Sequence, residues 1–172
     1  PGEPPPPLPP QDPAVTLSVI VPVYNGEATI GPCLDSILQQ DTGCTVQLIV
    51  VDSDSTDGTA AVLERYRAQP GVVLCNCSAP RSAAAARNEG LRPAVGGWLM
   101  FVDSDDLLLP GAIRTLLDAA QRLDADVVQG GWQYLYTDGT HGPVQCYPAA
   151  VYTGAAAPER FELPGMPSGN TA

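Results

Sequence analysis

Lysine is missing from this sequence. All eight basic residues of the 172-residue chain are arginines, and nineteen aspartates and glutamates outnumber them, which gives a net charge of −11 at pH 7. The absence of lysine excludes every mechanism in which a lysine of this chain is catalytic. The shortage of positive charge disfavours general binding to nucleic-acid backbones or anionic lipids, so we expect no nucleic-acid partner, although a local site can still bind phosphate.

Paired cysteine motifs and long hydrophobic runs are missing as well. The five cysteines are an odd number without the spacing of a zinc site, so they predict buried free thiols rather than a disulfide framework. No run of about 18 apolar residues occurs, and the sequence therefore predicts no transmembrane helix. A hydrophobic content of 44% is nevertheless enough for one domain with a core.

Strands and helices alternate through the central part of the sequence. Apolar and β-branched runs predict strands, and the apolar residues between them recur at helical spacing. The predicted strands cover residues 15–24, 46–51, 72–77, 98–102 and 126–128. This pattern predicts an α/β fold with a mostly parallel sheet, flanking helices and right-handed βαβ crossovers.

The two ends of the chain differ in composition from its centre. Residues 1–14 include eight prolines, which predict an extended, disordered arm. Residues 15–148 are expected to form the folded domain, with a β-hairpin around the turn at 137–140. Residues 149–172 are rich in Gly, Pro, Ala and Ser without periodicity, and they predict a loop or disordered tail.

Two of the predicted strands end in acidic loops. The apolar run that begins at Trp98 predicts a buried strand, and it stops at three carboxylates within residues 103–106. The run at 46–51 ends in the acidic segment 52–57. Open α/β sheets bind ligands at the carboxyl edge of their strands, and carboxylates this crowded favour a divalent cation among them. The alternative is that the acids after Trp98 only cap the next helix or are solvated.

Several known motifs compete for the segment 52–56. As Asp-x-Asp-x-Thr it resembles the first motif of haloacid-dehalogenase-type phosphatases, with Asp52 as nucleophile and Asp54 as acid/base, but the lysine of that family is missing. A calcium loop would need glycine at Asp57 and glutamate at Leu63. A dinucleotide-binding fold would need Gly-x-Gly-x-x-Gly after the first strand, which the sequence lacks.

Four motifs in order point to one family. They are the strand and turn at 17–25, the strand and acidic loop at 48–59, the small-residue helix at 84–90 and the strand end at 101–106. Together, over about residues 15–136, they resemble the family 2 glycosyltransferases, which have a Rossmann-like GT-A fold. The resemblance implies inverting transfer of a sugar from a UDP-sugar or another NDP-sugar to a hydroxyl acceptor with Mg²⁺ or Mn²⁺, commonly in polysaccharide biosynthesis.

The resemblance also assigns roles to the matching residues. Those implied to bind the nucleotide are Pro22, Val23 and Tyr24 at the base, Glu27 and Asp52 at the nucleoside, Arg87 at the diphosphate, and Asp103 and Ser104 in the DXD motif. Asp105 would ligate the cation, and Asp103 would contact the ribose or the cation. A cation and an arginine there would neutralise the diphosphate as it leaves.

Two features depart from the family pattern. The second loop is often Asp-Asp-Gly-Ser, and Ser53 and Asp54 replace its second and third residues, which leaves the base undetermined and puts a non-glycine residue in the turn. The acceptor site and catalytic base of the family lie farther beyond the DXD motif than this chain extends. We therefore assign no catalytic residue and expect an N-terminal donor-binding part, truncated at its C-terminus and weak or inactive alone.

The expected partners follow from the same resemblance. They are a nucleotide-sugar donor and a sugar, lipid-linked or protein acceptor, and the donor predicts a cytoplasmic chain with peripheral contact at the inner membrane face. Two alternatives stay open, namely a metal-dependent phosphohydrolase and a non-catalytic nucleotide-sugar-binding module.

Overall fold

The computed structural model describes residues 9–77 and 82–146. Strands and helices alternate in it as the sequence predicts, which confirms an α/β fold. The elements in chain order are β1 (Leu17–Val23), α1 (Ile30–Leu38), β2 (Val46–Asp52), α2 (Thr59–Glu64), β3 (Val72–Asn76), α3 (Ala83–Leu91), β4 (Trp98–Phe101) and α4 (Ala112–Leu123). The predicted tail at 149–172 and the first eight residues of the predicted arm lie outside the described residues.

The four strands form one parallel sheet in the order β3-β2-β1-β4. From β1 the chain builds outward through β2 and β3, and it then returns to place β4 on the other side of β1. The order of strands therefore reverses between β1 and β4. In open α/β sheets, the crevice at the carboxyl edge of such a reversal is where ligands bind.

The core lies on the two central strands. All seven residues of β1 are buried, and the last five of β2 are buried too, as expected for parallel strands covered on both faces. α3 packs closely on this sheet because Gly90 faces Ile20 and Val51, and a Cβ atom at Gly90 would lie 2.4 Å from Ile20 Cγ2. The small side chains of α3 therefore bring the helix and its residue Arg87 close to the sheet edge.

Two predictions about strands are wrong. β4 is an edge strand with alternate residues exposed, not a buried one, and Leu99 and Phe101 are 37% and 47% exposed. Residues 126–128 form no strand, and Val127 is 72% exposed. Both errors have one cause, because a run of apolar, aromatic or β-branched residues shows a preference for extended backbone but not which strand it pairs with.

The predicted hairpin is present as two separate antiparallel bridges. Trp132 pairs with Gln145, and Leu135 pairs with His141. The turn between them closes through a hydrogen bond from Gly139 N to the Tyr136 carbonyl oxygen. Its glycine has φ +82°, a conformation that residues with a side chain rarely adopt.

The chain divides into two compact units, residues 1–114 and 115–172. The whole sheet and the site below belong to the first unit. All five cysteines are free, as predicted, but only Cys33 and Cys77 are buried; Cys44 and Cys75 are half-buried, and Cys146 is exposed. Within the described ranges, no helix combines the length and the hydropathy needed to cross a bilayer.

Candidate functional site

A cavity of about 330 Å³ opens at the carboxyl edge of the sheet, at the reversal between β1 and β4. Seven of the nine residues that the sequence analysis assigned to the site line it. Its lining residues are Pro22, Val23, Tyr24, Ser53, Ser82, Ala83, Ala86, Arg87, Asp103, Ser104 and Asp105. They come from the ends of three strands and the start of α3, so the parallel topology explains why they meet.

Arg87 and Asp103 form an ion pair in the wall of this cavity. The Arg87 Nη2 atom donates a hydrogen bond to Asp103 Oδ1 at 2.5 Å, and the two side chains are 32% and 53% exposed. A hydrogen bond between two charged groups is stronger than one between neutral groups. The pair therefore places one positive charge from α3 beside the acidic loop.

The acidic loop, residues 103–106, concentrates negative charge at the cavity. Burial, together with the charges of Asp105 and Asp103, raises the pKa of Asp106 above its ordinary value. The Cys33 thiol beneath the loop has a pKa raised to about 12, first by burial and then by the three aspartates. Negative potential at this loop thus disfavours further anions and favours a cation.

The donors of the loop suit a hard divalent cation. Asp103 and Asp105 supply carboxylate oxygens at the cavity, the ligand type that Mg²⁺ and Mn²⁺ prefer, and Cys33 stays a neutral thiol. No group of three or more His, Cys, Asp or Glu side chains in the described part of the chain could hold a metal ion unaided. Two carboxylates at an open cavity fit a cation whose other ligands come from a bound phosphate group.

Glu27 and Asp52, the other two predicted site residues, do not line the cavity. Asp52 is 8% exposed, and its Oδ1 accepts hydrogen bonds from Ser55 N at 3.0 Å and Ser55 Oγ at 2.6 Å. Glu27 Oε2 accepts from Gly58 N at 3.0 Å, and Glu27 N donates to Asp57 Oδ2 at 3.1 Å. Both carboxylates hold the loop after β2 in place, and their contact with a nucleoside stays a prediction.

The surroundings of Asp52 also bear on the phosphatase alternative. A nucleophilic aspartate needs an exposed oxygen facing a substrate cavity. Asp52 is buried, and it lies outside the lining of the cavity. The geometry therefore gives no support to Asp52 as a nucleophile.

Loops after β1 and β2 are joined by hydrogen bonds that set one wall of the cavity. Asn25 Oδ1 accepts from Thr56 N at 2.8 Å, and Ser55 Oγ accepts from Asn25 N at 2.9 Å. Asn25 and Asp54 both have left-handed backbones, with φ of +51° and +62°. The turn at Asp54 thus has the conformation that glycine adopts most easily, as the comparison with the family pattern suggested.

Four lining residues were not predicted, namely Ser53, Ser82, Ala83 and Ala86. Ser82 caps α3, where its Oγ accepts from Ala85 N at 3.1 Å. A capping serine followed by alanines was a usable signal, since it marks a helix N-terminus with small side chains, and such ends suit phosphate groups. Ser53 directly follows Asp52, a predicted site residue, in the loop after β2, and this position was its usable signal.

These features define a class of fold. An open parallel sheet with a cavity at its reversal point, bordered by a DXD loop, is the arrangement of GT-A proteins, which confirms the fold predicted from the sequence. The chain belongs to glycosyl transferase family 2, whose profile matches residues 18–162, and the resemblance noted from the four motifs is thereby confirmed.

Individual relatives agree with this assignment. Glycosyltransferase GlyG of Streptococcus pneumoniae is 35% identical over 125 residues, covering 72% of this chain and 41% of GlyG. The S. aureus TarS 1-349 structure with UDP is 35% identical with a TM-score of 0.54, and the match covers 64% of this chain and 32% of TarS 1-349. Mannosyltransferase PcManGT of Pyrobaculum calidifontis, solved with GDP-Man and Mn²⁺, is 32% identical with a TM-score of 0.55, and the match covers 72% of this chain and 36% of PcManGT. The chain thus matches less than half the length of each of these relatives.

Proposed function

We propose that this chain binds a nucleotide-sugar together with a divalent cation, as the donor-binding part of an inverting family 2 glycosyltransferase. The observation that carries the proposal is the meeting of Pro22, Val23, Tyr24, Arg87 and the loop 103–105 around one cavity. The likeness to PcManGT with GDP-Man and Mn²⁺, and to TarS with UDP, supports this class of ligand.

The nucleoside would lie against the end of β1. In this proposal, Pro22, Val23 and Tyr24 border the base, and Glu27 and Asp52 border the nucleoside through the loops that they hold. Tyr24 is 44% exposed, so part of its ring surface is accessible to a ligand. Ser53 stands where the family pattern often has an aspartate at the base, so the proposal covers uracil and guanine nucleotides alike.

The diphosphate would lie between α3 and the acidic loop. Asp103 and Asp105 would hold the cation, and Ser104 would line the floor of the same site. A bound cation supplies positive charge to the diphosphate leaving group. Arg87 adds a guanidinium whose planar donors match phosphate oxygens, so the charge that develops on the diphosphate meets fixed positive charge.

A titration tests this proposal. We expect UDP, GDP or their sugar conjugates to bind the chain in the presence of Mn²⁺ or Mg²⁺, as measured by calorimetry. Asp105→Ala should weaken the cation-dependent binding by about tenfold or more, as expected when a charged ligand is lost. Asp118→Ala, which removes an exposed aspartate of α4 that is not among the cavity's lining residues, is the matched control.

Two outcomes would contradict the proposal. One is that no nucleotide binds at millimolar concentration with either cation. The other is that the Asp105→Ala and Asp118→Ala variants bind alike. Running both cations against both nucleotides in the same series also shows which base and which metal the site prefers.

A further inference from the structure

The acidic loop continues as an irregular segment up to Gly111, and one side of α1 holds it. Cys33 Sγ donates to the Asp103 carbonyl oxygen at 3.5 Å. Ser36 Oγ accepts from Leu108 N at 3.0 Å. Gln40 Nε2, two residues past the end of α1, donates to the Leu109 carbonyl oxygen at 3.0 Å. We call Cys33, Ser36 and Gln40 the α1 latch.

Cys33 and Ser36 are three residues apart and so lie on the same side of α1, and Gln40 follows just beyond the end of the helix. They are also joined to each other along the chain. Ser36 Oγ donates to the Cys33 carbonyl oxygen at 2.7 Å, and Gln40 Nε2 also donates to the Ser36 carbonyl oxygen at 3.0 Å. The side chains of Ser36 and Gln40 thus each bond both α1 and the loop, which restricts their rotamers, while the Cys33 side chain bonds the loop.

The three leucines of this segment are exposed or only half-buried. Leu107 and Leu109 are 46% and 61% exposed, so neither side chain anchors the segment in the core. The latch contacts are made to backbone atoms at its beginning and at its middle. Because Asp105 lies between those two attachment points, its position depends on the latch.

We propose that the α1 latch positions the acidic loop, and through it Asp105, for cation-dependent binding of a nucleoside diphosphate. This inference rests on the proposed function of the cavity. Ser36 and Gln40 are positioning residues in this scheme, since they act on the ligand through the loop. Groups around a metal site that orient its ligands commonly change metal affinity when they are removed.

The experiment compares UDP and GDP binding with Mn²⁺ and with EDTA in the wild-type chain and four variants. Ser36→Ala removes the acceptor for Leu108 N, and Gln40→Met removes the donor to Leu109. Both should lower the Mn²⁺-dependent gain in affinity by about tenfold and leave the affinity in EDTA within about twofold. Ser36→Thr keeps the hydroxyl and should restore the gain. Gln39→Met changes the exposed neighbouring glutamine and is the matched control.

The outcomes separate the two proposals. A wild-type chain that binds neither nucleotide, or binds one with no gain from Mn²⁺, contradicts the proposed function itself. If the wild type shows the gain and Ser36→Ala and Gln40→Met both keep it, the latch has no positioning role. An equal loss of affinity with Mn²⁺ and with EDTA would also overturn the inference, because it is what general destabilisation produces, and thermal melts record that destabilisation separately.

Discussion

Asp103 is contacted by side chains from two helices. Its carboxylate accepts a hydrogen bond from Arg87 of α3, and its backbone carbonyl accepts one from Cys33 of α1. The ion pair with Arg87 lowers the electrostatic cost of placing the Asp103 carboxylate near those of Asp105 and Asp106. The hydrogen bond from Cys33 restricts the backbone conformation at Asp103. A single residue therefore links both flanking helices to the cavity.

Arg87 is the cation whose loss we expect to weaken phosphate binding. Arg87→Ala should lower the affinity for UDP or GDP with Mn²⁺ by about tenfold, because a charge-assisted hydrogen bond is lost. Arg87→Lys should recover only part of this affinity, since an ammonium group cannot bind phosphate through two parallel N–H donors as a guanidinium group does. Calorimetry measures both, with Arg114→Ala as control because Arg114 pairs with exposed Asp41 instead. Equal affinities of the Arg87→Ala and Arg114→Ala variants would refute the assignment.

Asp54 gives a prediction about stability. Its φ of +62° is unfavourable for a side chain branched at Cβ and easy for glycine. We expect Asp54→Val to be less stable to urea unfolding than Asp54→Gly by about 1–2 kcal/mol. Both variants remove the carboxylate, so its own contacts cancel in the comparison. Equal stabilities would mean that the turn relaxes to another conformation.

Among the helices and strands, the contact of α3 with the sheet sets the position of the cavity wall. Ala86 and Gly90 of α3 are buried against the strands, and Ala86 also lines the cavity. Helix α3 carries Arg87 directly after that alanine. The close approach of α3 to the sheet thus brings the positively charged guanidinium of Arg87 to the cavity at the end of β1.

Gly90→Ala tests this packing. The added Cβ would lie 2.4 Å from Ile20 Cγ2 and 3.2 Å from Val51 Cγ2, both in the core. We expect a loss of about 1–3 kcal/mol in the free energy of unfolding, because overpacking moves the helix or the strands. Gly97→Ala is the control, since its Cβ would meet only the Thr16 carbonyl oxygen at 3.7 Å. If both substitutions cost the same, close packing at Gly90 is not required.

Across the whole molecule, the order of the strands brings together residues that are far apart in the chain. Tyr24, Ser53, Arg87 and Asp103 follow four different strands, and they line one cavity because the strands are parallel. The negative charge of −11 does not exclude a phosphate ligand, because the arginine and a cation act locally.

We expect this chain to bind its donor without sustained transfer. The site accounts for the nucleotide and its cation, but no residue is assigned as the base that deprotonates an acceptor. Incubation with UDP-sugars or GDP-sugars and Mn²⁺ should release nucleoside diphosphate at no more than the background rate, measured by a coupled assay. Repeated turnover that disappears in the Asp105→Ala variant would contradict this expectation and would place a catalytic base within the chain.

Local patterns predicted much of this protein. The periodicity of apolar residues identified the four strands and the helices between them, since side-chain spacing is a local property of the backbone. The four motifs of the family resemblance identified seven residues of the cavity wall, six of them at strand ends and Arg87 on α3, and parallel strands bring their carboxyl ends to one edge. The odd number of cysteines and their lack of zinc-site spacing predicted free thiols.

Other features depended on partners that are distant in sequence. The exposure of β4 and the absence of a strand at 126–128 follow from pairing, which no local run of residues encodes. Aspartates at the ends of different strands also have different surroundings. Asp103 and Asp105 line the cavity, whereas Asp52 accepts a hydrogen bond from Ser55. The sequence shows which groups can ionise and where strands end, but burial and hydrogen-bond partners, which determine what each carboxylate does, arise only when the chain is folded.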